Sequence, residues 1–150
     1  MTKGLPENGQ PSRTNVRCEV EIEVPFYDVD LMEIVWHGNY AKYFEVARCA
    51  VLEKIGYGYM KMRDSGYTWP IIELKIRYAK PAHFNQKLIV SAEITEWQMR
   101  LKINYVIRDK QSQARLSRGH TIQVAVDATS GEMCYQSPPV LWKKLELDPP

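Results

Sequence analysis

Polar and apolar residues alternate strictly from Arg17, with Cys18, Val20, Ile22 and Val24 on one face and Arg17, Glu19, Glu21 and Glu23 on the other. A period of two predicts a strand with one face buried. Pro25 then interrupts the ladder because it has no N–H to donate, and residues 26 to 36 show no clean period. From Tyr40 the spacing becomes helical: Tyr43, Phe44, Ala47, Val51 and Ile55 share one face, while Lys42, Glu45, Cys49 and Glu53 fall on others. This predicts one long helix ending near Gly56 and Gly58. The less regular residues 59 to 67 have room for a short second helix.

Alternation returns at Ile72, Leu74, Ile76 and Tyr78, with Glu73, Lys75 and Arg77 opposite. Three more strands are predicted around Leu88, Val90, Ala92 and Ile94; Leu101, Ile103, Tyr105 and Ile107; and Ile122, Val124 and Val126. Turn-forming residues fill 82–85, 109–113 and 127–131. With no internal repeat, the order of strand, long helix and four closely connected strands predicts an α+β domain. Its antiparallel sheet of about five strands wraps around the central helix. Residues 1 to 15, rich in Pro, Gly, Asn, Ser and charge, are expected to form a flexible arm, and residues 16 to 150 the one domain. The closing PPVLWKKLELDPP suits a short helical turn.

Composition narrows the function. The 150 residues, 45% hydrophobic, suffice for one continuous core. Twenty basic against 18 acidic residues lack the footprint of a nucleic-acid binder, although a local phosphate-binding patch stays open. Cys18, Cys49 and Cys134 are odd in number and widely separated, which argues against a disulfide framework or zinc site and fits a reducing cytoplasm. No run approaches the roughly 20 apolar residues of a membrane span, and the opening residues lack a signal peptide's apolar core. His83 and His120 have no metal-like spacing, so both are read as structural or solvated and no metal is expected.

Chemistry concentrates in residues 26 to 40, FYDVDLMEIVWHGNY, between the first strand and the long helix. Asp28 and Asp30 precede a helix N-terminus, whose unpaired N–H groups and dipole polarise a carbonyl oxygen. Cleaving a thioester needs an oxygen nucleophile or base together with such donors. Capping of turns is nevertheless the commoner role for two loop aspartates, and spacing alone does not separate these readings.

The run Tyr27-Asp28-Val29-Asp30, then Val35-Trp36-His37-Gly38-Asn39-Tyr40, with Tyr43-Phe44-Glu45 and Ala47-Arg48 on the helix, resembles the signature of the 4-hydroxybenzoyl-CoA thioesterase-like family of hotdog-fold proteins. The likeness continues through Arg77-Tyr78-Ala79-Lys80-Pro81-Ala82 and Thr95-Glu96-Trp97, covering about Val16 to Val126. It departs from the common pattern at Leu31 and Glu33, where many relatives carry Pro or Gly. These side chains are expected to reshape the mouth of the acyl pocket.

The resemblance implies an acyl-CoA thioesterase that uses no metal or redox cofactor, coenzyme A being part of the substrate. It makes Asp30 the catalytic carboxylate, as nucleophile or general base, and puts His37 at the helix start facing the substrate carbonyl, through its backbone N–H with the imidazole assisting. Tyr27, Trp36, Gly38 and Asn39 are expected around the substrate, with Asn39 also a candidate helix cap. Lys80, Arg100 and Lys102 are the candidates for the phosphates of coenzyme A. Asp28 is given a structural role, Tyr40 and Tyr43 are core or interface aromatics, and Glu45 with Arg48 is an ordinary surface pair. One helix cannot cover both faces of the sheet, so a homodimer or homotetramer with sites at the subunit boundary is expected. Two other readings are an acyl-carrier-protein thioesterase and a hotdog protein that binds acyl-CoA without turnover.

Overall fold

A computed structural model describes residues 16–147, so the arm expected over residues 1 to 15 lies outside the described residues. Strands β1 (Arg17–Glu23), β3 (Ile71–Tyr78), β4 (Lys87–Glu96), β5 (Leu101–Asp109) and β6 (Arg115–Gln123) form an antiparallel sheet in the order β1-β4-β5-β6-β3. Helix α1 (Tyr40–Lys54) crosses one face, preceded by a 3₁₀ turn at His37–Asn39. The short helix α2 (Tyr59–Asp64) occupies the region left open for it. A two-residue ribbon pairs β2 (Tyr67–Thr68) with β7 (Val126–Asp127), and α3 (Pro139–Lys144) closes the described chain.

The core follows the alternation. Leu88, Val90, Ala92 and Ile94 of β4, and Leu101, Ile103, Tyr105 and Ile107 of β5, are almost wholly buried on the side that receives Phe44, Ala47 and Val51 of α1. The Phe44 ring stacks on Tyr105 with centroids 4.5 Å apart and planes 7° from parallel. Such contacts add about 0.5–1.5 kcal/mol beyond burial itself.

One strand differs from its expected position. The alternation of Ile122, Val124 and Val126 predicts a strand there, whereas β6 runs from Arg115 to Gln123 and Val126 belongs to the separate ribbon. The inward positions of β6 are Ser117, Gly119, Thr121 and Gln123, so no apolar period marks it. Small and polar residues suit this face because Phe44 already fills the space: a Cβ at Gly119 would lie 2.7 Å from the Phe44 ring and 2.1 Å from the Lys75 carbonyl oxygen. Thr121 Oγ1 bonds Tyr105 OH at 2.7 Å, and Gln123 Nε2 donates to the Trp69 carbonyl at 2.8 Å.

Strand β3 stands at the sheet edge, bonded to β6 on one side. Its apolar face alternates as predicted, yet Ile72, Leu74 and Tyr78 are each about half exposed. An exposed apolar edge strand is an invitation to pair with another chain. Among the described residues no helix is long and apolar enough to cross a membrane.

Candidate active site

The aperiodic segment between β1 and α1 folds into a small hairpin held from two sides. Val29 and Val35 bridge, and Trp36 N–H donates to the Asp28 carbonyl at 3.0 Å. The hairpin is stapled to residues 82–86: Val35 N–H donates to the Ala82 carbonyl at 2.8 Å, Phe84 N–H to the Glu33 carbonyl at 3.0 Å, and Ile34 bridges His83. His83 therefore acts through its backbone as part of the scaffold. Tyr40 OH accepts the Ala82 N–H at 3.0 Å, joining the helix start to the same segment.

Asp30 sits at the exposed tip. Its N–H donates to the Ile34 carbonyl and its carbonyl accepts from Glu33, both at 2.9 Å. Its Oδ1 accepts the Met32 N–H at 2.8 Å, so the turn-capping role and an accessible carboxylate coexist in one residue. Among the described residues Oδ2 has no hydrogen-bond partner. Leu31 and Met32, fully and largely exposed, project beside it. Glu33 has φ of 61°, in the left-handed region that glycine enters without strain, which gives a backbone reason for the glycine that many relatives place there.

Asp28 turns the other way. Only 2% exposed, its carboxylate pairs with Lys42 Nζ through Oδ1 and accepts Tyr43 OH through Oδ2 at 2.8 Å. Its carbonyl also accepts Asn39 Nδ2 at 2.9 Å. The Asn39 side chain thus ties hairpin to helix and makes no helix cap, correcting that expectation. Burial, then the Asp28 carboxylate, drives the Tyr43 phenol well above its ordinary range. Tyr40 and Tyr43 are buried core aromatics. Lys42 also lies 5.5 Å from the centre of the exposed Tyr27 ring.

His37 opens the 3₁₀ turn leading into α1. The N–H groups of His37 and Gly38 have no acceptor among the described residues, while the His37 carbonyl accepts Tyr78 OH at 2.7 Å. Its imidazole is exposed and lies against Trp36, with ring centroids 4.9 Å apart and planes tilted by 45°. The half-exposed Trp36 ring folds across Gly38, where a Cβ would approach it to 2.1 Å. Glycine at 38 therefore makes room for the indole.

The three expected phosphate ligands do not converge. Lys80 is exposed beyond the end of β3, and Arg100 pairs with Glu96 at 3.3 Å in the β4–β5 hairpin. Lys102 alone lines a cavity on the opposite face of the sheet, with Lys75, Arg77, Arg115, Arg118 and His120. Arg48 also departs from expectation: it is 3% exposed, bonds Tyr59 OH at 2.8 Å and leaves its buried Nε unpartnered, with Glu45 at 3.9 Å. It is a core cation rather than half of a surface pair.

Residues 24–148 match the model of the thioesterase-like superfamily. A Bacillus subtilis protein provisionally named acyl-CoA thioesterase YneP is 35% identical over 77 residues, 51% of this chain and 56% of its own. A Synechocystis protein provisionally named an esterase is 27% identical over 128 residues, 85% of this chain and 77% of its own. Among solved structures, a Staphylococcus aureus DHNA-CoA thioesterase superposes with a TM-score of 0.72 at 26% identity, covering 79% of this chain and 80% of that one. A 1,4-dihydroxy-2-naphthoyl-CoA thioesterase from Synechocystis shares the fold with a TM-score of 0.77 at 21% identity, covering 86% and 94%.

Proposed function

The chain belongs to the thioesterase-like superfamily and has its hotdog architecture, and from that premise we propose that it hydrolyses acyl-CoA thioesters to a free acid and coenzyme A. The observation that carries this reading is Asp30, an accessible carboxylate with one oxygen unengaged, on a stapled hairpin that ends in the uncapped N–H groups of His37 and Gly38. A carboxylate and preorganised donors are the two things acyl transfer from a thioester requires.

Two routes use these groups. In one, a carboxylate oxygen of Asp30 attacks the thioester carbon and coenzyme A leaves as thiolate; water then cleaves the resulting anhydride. In the other, Asp30 takes a proton from water as the water oxygen attacks, and collapse of the tetrahedral intermediate expels the thiolate. In both, negative charge gathers on the carbonyl oxygen, where the His37 and Gly38 N–H groups receive it. Side chains, backbone dipoles and water complete the chemistry. Trp36 and Tyr27 flank the approach of the acyl thioester.

The functional unit is a homodimer, or a homotetramer built from it, joined along the exposed apolar edge of β3. Tyr78 on that edge holds the His37 carbonyl, which brings the site to the subunit boundary. A reducing cytoplasm suits the three free cysteines.

A screen of acyl-CoA thioesters with detection of released thiol tests the activity. Asp30→Asn should lower kcat by at least about 100-fold, the low end for losing a positioned acid–base group, with little change in melting temperature because Asp30 is exposed. A variant that turns over at the wild-type rate would remove Asp30 from the mechanism.

A further inference from the structure

On the face of the sheet away from α1, a cavity of about 640 Å³ is lined by Lys75 and Arg77 of β3, Lys102 of β5, and Arg115, Arg118 and His120 of β6. No carboxylate lines it, and Asn104 and Val106 contribute to its floor. Among the described residues Lys75, Arg77, Lys102, Arg115 and Arg118 form no ion pair; His120 alone is matched, with Glu73.

The register makes this clustering a cost. Arg77 lies directly opposite Arg118, and Arg108 opposite Arg115, and like charges facing across a ladder destabilise a sheet. The same sheet opposes unlike charges elsewhere, Arg17 with Glu93 and Glu23 with Lys87, and at the margin of the cavity Lys102 faces Glu96. Four of these cations, Lys75, Arg77, Arg115 and Arg118, face no carboxylate across the ladder; an anion that supplies several charges at once relieves them, and guanidinium forks suit phosphate oxygens.

We propose that this cavity binds the phosphates of a phosphorylated nucleotide. Two sources carry that chemistry. Arg77 and Lys75 precede by one and three residues the Tyr78 that bonds the His37 carbonyl. At about 3.3 Å per residue, the cavity starts within roughly 10 Å along the strand of the catalytic turn. The nucleotide end of the coenzyme A substrate is one source, and this arm rests on the thioesterase reading; a free nucleotide is the other.

Isothermal titration of the full chain with adenosine 3′,5′-bisphosphate and with ATP tests the site without requiring turnover. Saturable binding that weakens with salt is expected, together with a loss of affinity of at least about tenfold in Arg77→Ala/Arg118→Ala. Both residues are exposed and mutually repulsive, so that variant should keep its melting temperature. Kinetics separate the sources. Competitive inhibition by the bisphosphate, with a raised KM for acyl-CoA in the double variant and lost discrimination against an acyl-pantetheine lacking the nucleotide, assigns the substrate's own phosphates. Binding that leaves KM unchanged assigns a free nucleotide. Absence of saturable binding to wild type, or equal affinity in the double variant, overturns the site. A chain that binds nucleotide but hydrolyses no thioester would overturn the hydrolase reading and leave this site standing.

Discussion

Removing Lys42 tests how the hairpin that carries Asp30 is anchored. Asp28 is 2% exposed, whereas the Lys42 side chain is 49% exposed, so Lys42→Ala leaves a buried carboxylate held by Tyr43 OH alone. Breaking a buried pair from one side costs about 3–5 kcal/mol; with half of Lys42 already in water, roughly 2–3 kcal/mol is expected. Asp28→Ala leaves no buried charge and strands the Tyr43 hydroxyl, at about 1–3 kcal/mol. The double variant should therefore resemble Asp28→Ala alone, giving a coupling of about 2 kcal/mol. Urea unfolding of the four proteins at one fixed protomer concentration measures this. The backbone staples remain in every variant, so the loss in kcat should stay well below that of Asp30→Asn. If Lys42→Ala costs under about 0.5 kcal/mol and adds simply to Asp28→Ala, the pair behaves as an ordinary surface contact and the anchoring argument fails.

Alkaline pH should unfold the protein through its buried phenols. Burial pushes Tyr105 from 10.0 up to about 12, so the native state holds a proton that the unfolded chain releases. Stability from this group is full below pH 10 and falls by roughly 2–3 kcal/mol as pH rises to about 12. Tyr105→Phe should flatten that slope in urea titrations, and an unchanged slope would count against the assignment. Gly119→Ala meets a backbone oxygen it cannot displace and should cost about 1–3 kcal/mol or more. Gly38→Ala meets a half-exposed ring that can swing outward, so activity should fall more than stability; thermal melts beside kinetics distinguish them. Leu74→Glu on the exposed edge should yield monomers in light scattering with reduced activity, and an active dimer would place the interface elsewhere.

The parts of this fold legible in the sequence were those whose apolar residues follow a period, including the half-exposed β3. β1, β4, β5 and α1 announce themselves because one face of each is apolar and packed. β6 does not, because Phe44 from α1 occupies the space where large inward side chains would show, leaving Ser117, Gly119 and Thr121 as the signature of a neighbour far away in sequence. Arg48 reads as a surface residue beside Glu45 until its helix face is fixed by the packing. At the candidate site, the Asp28–Asp30 pair and the His37-Gly38 start were legible, whereas the opposite fates of the two aspartates depend on Lys42 and Tyr43, one turn into the helix. The basic cavity was missed because Lys75, Arg77, Arg115 and Arg118 meet only through strand register. The polar phase of β3, noted at Lys75 and Arg77, was its available signal.

The hairpin that carries Asp30 is woven into the 82–86 segment by backbone bonds at Glu33, Ile34 and Val35. It is therefore a fixed rim and has no freedom to act as a lid. Its hydrogen-bonded Val35 and Trp36 amide protons should exchange with solvent far more slowly than that of Leu31 at the exposed tip. Under the proposed hydrolase function, discrimination among acyl groups would fall to the shape already present at Leu31, Met32 and Trp36. A snug inhibitor would gain from that stiffness, since little conformational freedom is left to surrender on binding.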